Sequence, residues 1–139
     1  MTLRNSLDRE ISESLVLYVR RLNDESKNGA LVVVEGLRDL RALRAIGFDG
    51  DVLMFCHNGG KHLLIDEAAK YRKTILLLDL DHEGRALTKK AALLLEEKKN
   101  SIDLFFRREL PSVTRGRVRH IEELSRYKDY LQPYSKMLE

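Results

Sequence analysis

A chain of 139 residues, 43% apolar and 34% charged, has the length of one domain and enough apolar material to bury a core, which separates it from disordered sequences. Its apolar runs reach about five residues against the ~18 needed to cross a bilayer, and Met1-Thr2-Leu3-Arg4 opens no signal-peptide core, so a cytoplasmic protein with no membrane partner is expected. Cys56, the one cysteine, excludes an intramolecular disulfide and a multi-cysteine zinc site, while a net charge of +3 permits a nucleic-acid partner without demanding one.

Leu7, Ile11, Leu15, Tyr18 and Leu22 form the stripe of an amphipathic helix that Asn5 or Ser6 caps and Asn28-Gly29 ends. Such a helix packs on a sheet or on a partner. Strands are predicted at Ala30–Val34, Val52–Cys56, Thr74–Leu78 and Ile102–Phe106. Helices fall between them: one through Leu40, Leu43 and Ile46 to Gly47, one over His62–Arg72 after the loop His57-Asn58-Gly59-Gly60, and one over Gly84–Lys99. A basic loop from Arg107 to Arg119 leads to a short helix over Glu122–Leu131. Strands alternating with helices of this length call for right-handed crossovers and a parallel sheet.

Two of the strands run into acid. Leu31-Val32-Val33-Val34 leads to Glu35-Gly36, and Ile75-Leu76-Leu77-Leu78 leads to Asp79-Leu80-Asp81. Unbroken apolar runs suit strands buried on both faces, and parallel sheets gather ligands at the carboxyl ends of their strands. Side chains alternate along extended backbone, so Asp79 and Asp81 leave on one side with Cα atoms roughly 6–7 Å apart, and one cation can bridge them. Hard oxygen donors select magnesium, manganese or calcium over zinc.

The stretch Val33-Val34-Glu35-Gly36-Leu37-Arg38-Asp39, taken with Leu78-Asp79-Leu80-Asp81-His82-Glu83-Gly84-Arg85, resembles the Toprim family. That catalytic domain is shared by topoisomerases, bacterial-type primases, OLD and RecR-like repair proteins and a ribosomal RNA maturase. Its hallmarks are a glutamate ending the first strand, followed by glycine and then an acidic residue, and an Asp-x-Asp pair ending the third, followed by glycine. Glu35, Gly36, Asp39, Asp79, Asp81 and Gly84 match in order and strand context, and the resemblance runs from about Ala30 to Phe106. The tail, Arg107-Arg108-Glu109-Leu110 and then His120-Ile121-Glu122-Glu123-Leu124, looks like that of small stand-alone archaeal members.

The resemblance implies a three-layer, Rossmann-like α/β sandwich with a four-stranded, mainly parallel sheet in the order 2-1-3-4. Residues 1–29 would form a helix packed on the domain, and residues 30–139 the Toprim domain with a basic extension. It also implies Mg²⁺ or Mn²⁺ at Glu35, Asp79 and Asp81, which would carry the catalysis, with Asp39, Gly36 and Gly84 around them.

Each candidate has a plainer reading. Glu35 and Asp39 also suit the positive end of the helix that follows them. Asp79 and Asp81 read as turn residues would repel one another without a cation or donor between them, which favours the metal. Glu83 reads as a solvated helix start, His57, His62, His82 and His120 show no metal-ligand spacing, and Tyr127, Tyr130 and Tyr134 read as packing residues. Asn58-Gly59-Gly60-Lys61 offers backbone N–H groups and a lysine to a phosphate, or is a turn chosen for its glycines. Arg85, with Arg107, Arg108, Arg115, Arg117 and Arg119, makes a positive surface suited to phosphates, or a solvated one.

Two functions follow as expectations. The first is a magnesium-dependent RNA or DNA nuclease. The second is a non-catalytic module that binds metal and nucleic acid or nucleotide within a larger complex, docked or self-associated through the Leu7–Leu22 helix. Haloacid dehalogenase-like phosphatases place Asp-x-Asp on their first strand, and response-regulator receivers need an acidic pair that Glu35 alone does not supply.

Overall fold

Alternate side chains of the two central strands part into two cores. Strand β1 (Ala30–Val34) is buried throughout, with Ala30, Val32 and Val34 in one core and Leu31 and Val33 in the other. Strand β3 (Lys73–Leu76) and the two residues after it repeat the division: Ile75 and Leu77 join the first core, Leu76 and Leu78 the second, and all are fully buried. Burial on both faces is why neither run alternates in hydropathy. The computed structural model describes residues 6–56 and 60–131, the side chain of Lys61 excepted.

Strands β2 (Val52–Met54) and β4 (Ile102–Asp103) complete a four-stranded parallel sheet in the expected order, β2-β1-β3-β4. Val33 stands opposite Leu76, so the acid-bearing ends of β1 and β3 lie side by side. The first core is covered by α1 (Ser6–Lys27), α2 (Leu37–Ala45), α5 (Phe105–Val113), a 3-10 helix (Ile121–Tyr127) and α6 (Lys128–Leu131). The second lies beneath α3 (Gly60–Ala68) and α4 (His82–Glu97). These are the three layers that the resemblance implies.

The N-terminal stripe is absorbed by the first core. Ile11, Leu15, Val19 and Leu22 are fully buried, and the buried Tyr18 hydroxyl donates to the Phe106 carbonyl at 2.7 Å. Burying each such aliphatic side chain stabilises by about 1.5–3 kcal/mol, so this face belongs to the fold and is not open for docking.

Several boundaries differ from the sequence reading. Strand β2 stops at Met54 and β3 at Leu76, and helices α3 and α4 begin two residues earlier than expected, at Gly60 and His82. The largest correction is at β4, which holds only Ile102 and Asp103. Phe105 to Val113 form α5, where a strand end and a basic loop were expected. Phe106 and Leu110, about one turn apart, both enter the first core, and Pro111 lies in the last turn, where its missing N–H forfeits a single bond. The expected final helix is mostly 3-10. The Asn5 cap, His57-Asn58-Gly59 and Tyr134 lie outside the described residues. Among those described, no helix is long and apolar enough to cross a membrane.

Candidate metal centre

Strand pairing brings the acids together, and backbone amides hold them. Asp81 is the N-cap of α4: its Oδ1 accepts the Gly84 N–H at 2.7 Å. Asp79 Oδ1 accepts the Ile121 N–H at 2.7 Å, and Glu35 Oε2 accepts the Asp79 N–H at 2.9 Å. Each carboxylate is thereby fixed through one oxygen, and the second oxygen of Asp81 meets His120. Gly84 makes this close approach possible, since a Cβ there would lie 1.9 Å from the Asp79 carbonyl oxygen. Gly36 is under no such demand: a Cβ on it would meet nothing within 4 Å.

The C-terminal segment closes the other side. Leu80 N–H donates to the Arg119 carbonyl at 2.7 Å, so residues 119–121 run beside residues 79–81. This places His120 Nε2 3.1 Å from Asp81 Oδ2. Asp79, Asp81 and His120 each present one ligand atom, and these atoms lie within 4.8 Å of one another. Glu35 stands beside this trio, on the backbone of Asp79. Asp39 is buried, and its Oδ2 accepts the Gly36 N–H at 3.0 Å, so its first role is to cap α2. Glu35, Arg38, Arg41, Asp79 and Glu122 line an open groove of about 470 Å³, within the range of ligand clefts.

The charges strain against one another. Burial, against the Ile121 hydrogen bond and aided by Glu35 and Asp39, pushes the Asp79 carboxyl up to about 6. Burial also raises Asp39. Asp81 goes the other way, lowered first by the Gly84 N–H and then, against burial, by His120. His120 is raised: burial opposes this, but Asp79, Glu123 and Asp81 outweigh it. Burial first, and the neighbouring acids after it, disfavour the charged form of Asp79. Two fixed carboxylates, a neighbouring third and one imidazole nitrogen form a donor set that fits a divalent cation.

The expected phosphate-binding arginines divide. Arg107 is half-buried, with Nε donating to the Leu78 carbonyl at 3.1 Å and Nη2 to the Asp79 carbonyl at 2.7 Å, so it braces the end of β3. Its guanidinium is lowered by burial and by nearby Arg85. Arg85, Arg108, Arg117 and Arg119 are exposed, and Arg115, also exposed, approaches Glu10 at 4.0 Å. The side chain of Lys61 lies outside the described residues.

Sequence reasoning missed His120 and its neighbour Glu123. Glu123 Oε1 accepts the N–H groups of Arg119 and His120, both at 2.9 Å, and lies 3.5 Å from His120 Nδ1. His120 is 39 positions from Asp81, so no ligand spacing could reveal it. The available signal was His120-Ile121-Glu122-Glu123, a histidine followed three residues later by glutamate, the outline of a capping box.

A parallel sheet in this order, with glutamate and an Asp-x-Asp pair at the ends of its two central strands, defines a Toprim-type domain. The chain belongs to the Toprim domain family, whose model matches residues 30–108, and with it to a class of metal-binding domains concerned with nucleic acids. It is similar to a UPF0292 protein of Archaeoglobus fulgidus, 32% identical over 78% of this chain and 85% of that protein. A UPF0292 protein of Thermococcus gammatolerans is 34% identical over 69% of this chain and 71% of its own length. Among solved structures, a putative protein from Aquifex aeolicus matches with a TM-score of 0.68 and 30% identity, covering 78% of this chain and 96% of that one.

Proposed function

We propose that the protein is a metal-dependent nuclease that acts on phosphodiester bonds of RNA or DNA, with Mg²⁺ or Mn²⁺ held at Asp79 and Asp81. The single observation that carries the reading is the pair of fixed carboxylates: each has one oxygen anchored on a backbone amide, and the two offer ligand atoms within 4.8 Å of one another and of His120. A bound divalent cation would stabilise charge on phosphoryl oxygens and lower the pKa of a water molecule.

The chain's own residues supply the rest. Glu35, held on the Asp79 N–H, has one oxygen left to ligate the cation or to accept a proton from water as general base. The groove it lines continues past Arg38 and Arg41, which suits an extended anionic strand. Arg85, exposed on the first turn of α4 and close to Arg107, is placed to meet a phosphate at the acid end of the sheet. Arg115, Arg117 and Arg119 extend the positive surface, while Arg107 keeps the β3 terminus rigid. A cytoplasmic setting is part of this reading, supported by the single cysteine.

The test is cleavage of end-labelled RNA and DNA oligonucleotides by purified protein, with Mg²⁺, with Mn²⁺ and with EDTA. Metal-dependent cleavage is expected, lost in the Asp79→Asn, Asp81→Asn double variant. Binding without cleavage of any substrate would assign the chain to the non-catalytic alternative.

A further inference from the structure

We infer that His120 is a metal ligand of this centre, oriented by Glu123, and that the centre therefore selects a first-row transition ion over Mg²⁺, with Mn²⁺ as the probe. The inference rests on the proposed metal site at Asp79 and Asp81 and adds a nitrogen to it.

The geometry is specific on both sides of the ring. On one side, His120 Nε2 is 3.1 Å from Asp81 Oδ2 and within the same 4.8 Å cluster as a carboxylate oxygen of Asp79. Adjacent ligands of a six-coordinate ion with bonds of about 2.1 Å stand roughly 3 Å apart, so the His120–Asp81 spacing, a hydrogen bond in the metal-free protein, is also that of two neighbouring ligands on one ion. On the other side, Nδ1 is 3.5 Å from Glu123 Oε1. That carboxylate is itself fixed by the N–H groups of Arg119 and His120 and by Arg126 Nη2 at 2.9 Å. A carboxylate behind an imidazole whose far nitrogen faces the metal is the recurrent means of setting ring orientation and ligand basicity.

The backbone delivers the ring as well. Leu80 N–H to Arg119 O and Ile121 N–H to Asp79 Oδ1 tie the residues on both sides of His120 to the acid segment. The histidine is thus held between two anchors, one on the ligand Asp79 and one on Leu80, which lies between the two aspartates. Imidazole nitrogen suits iron, nickel, copper and zinc best, whereas Mg²⁺ demands oxygen and retains water. An Asp–Asp–His set with open positions accordingly discriminates against Mg²⁺ in a way that three carboxylates would not.

The test measures binding of Mn²⁺ and Mg²⁺ by calorimetry and the Mn²⁺ environment by pulsed electron paramagnetic resonance. It compares the wild type with His120→Ala, Glu123→Gln and the Asp79→Asn, Asp81→Asn double variant. The wild type is expected to bind Mn²⁺ at least about tenfold more tightly than Mg²⁺ and to show a nitrogen coupling from one imidazole. His120→Ala should remove that coupling and weaken Mn²⁺ by about 10–100-fold, with Mg²⁺ little changed, and Glu123→Gln should weaken Mn²⁺ in the same direction. Mn²⁺ bound by the wild type and lost in the aspartate variant, but without nitrogen coupling, would overturn the role of His120 and leave the acid site standing. Mn²⁺ bound equally by the aspartate variant would overturn the acid site and the inference with it.

Discussion

Glu35, at the end of β1, accepts the backbone N–H of Asp79, beyond the end of β3, across 44 positions of sequence at 2.9 Å. The bond locks together the two strand ends that carry the acids, so Glu35 has a structural role separable from chemistry. Glu35→Gln keeps an acceptor oxygen and should melt within about 0.5 kcal/mol of the wild type, whereas Glu35→Ala leaves the N–H unmatched and should cost about 1–2 kcal/mol. Cleavage should fall about 100-fold or more in both, as when a general base is lost. Denaturant melts and single-turnover assays on the same preparations separate the two roles; an inactive wild type, or equal activity in all three, removes the catalytic one.

The two glycines of the motif should respond in opposite ways. Gly84→Ala drives a Cβ against the Asp79 carbonyl, which is backbone and cannot swing aside, so a loss of about 1–3 kcal/mol and weakened metal binding are expected. Gly36 has extended backbone and open space around it, so Gly36→Ala should change stability by less than about 0.5 kcal/mol. Thermal melts of the two variants read this directly. Equal penalties would mean that the approach of α4 to Asp79 is looser than described.

These residues also show what was legible in the sequence. Glu35, Asp79 and Asp81 could be found because they follow apolar runs that suit doubly buried strands, and the strand order came with the family resemblance those residues carry. Phe105 to Val113 misled because its arginines and Pro111 read as loop, while the deciding fact, that Phe106 and Leu110 meet the buried face of α1, is a tertiary contact. His120 was invisible for a similar reason. Its place depends on Leu80 pairing with Arg119, a bond between segments whose spacing encodes nothing.

Asp79 should make the metal-free protein lose stability as pH rises, in opposition to Asp81 and Glu123, whose carboxyls are lowered. Asp79 is raised from 3.8 to about 6, so folding favours its protonated form; that contribution is complete below 3.8 and is lost as pH climbs through about 6. His120, raised above 6.5, acts in the same direction at higher pH, because its charged form is the one favoured by folding. With EDTA present, the midpoint of Asp79→Asn minus that of the wild type should therefore widen between pH 3.8 and about 6 and then level off. A gap that stays constant across this window would contradict the burial and acid crowding assigned to Asp79.

The arginine surface makes a prediction about salt. Replacing Arg115, Arg117 and Arg119 by glutamine should weaken oligonucleotide binding and flatten the slope of log affinity against log salt by about 0.7–0.9 per lost phosphate contact. Because Arg119 contributes its carbonyl rather than its side chain to the fold, the variant should stay folded. Unchanged affinity and slope would make these arginines solvated surface.

Thermal unfolding with and without divalent metal, in the wild type and in the Asp79→Asn, Asp81→Asn double variant, bears most directly on the centre itself. A ligand that binds the folded state at 100 times its dissociation constant adds about 2.7 kcal/mol. The wild-type midpoint should rise with Mg²⁺ or Mn²⁺ in a saturable way, and the double variant, whose amides keep their oxygen acceptors, should fold and show no rise. A flat wild-type response, or an equal rise in the variant, would show that Asp79 and Asp81 do not hold a metal.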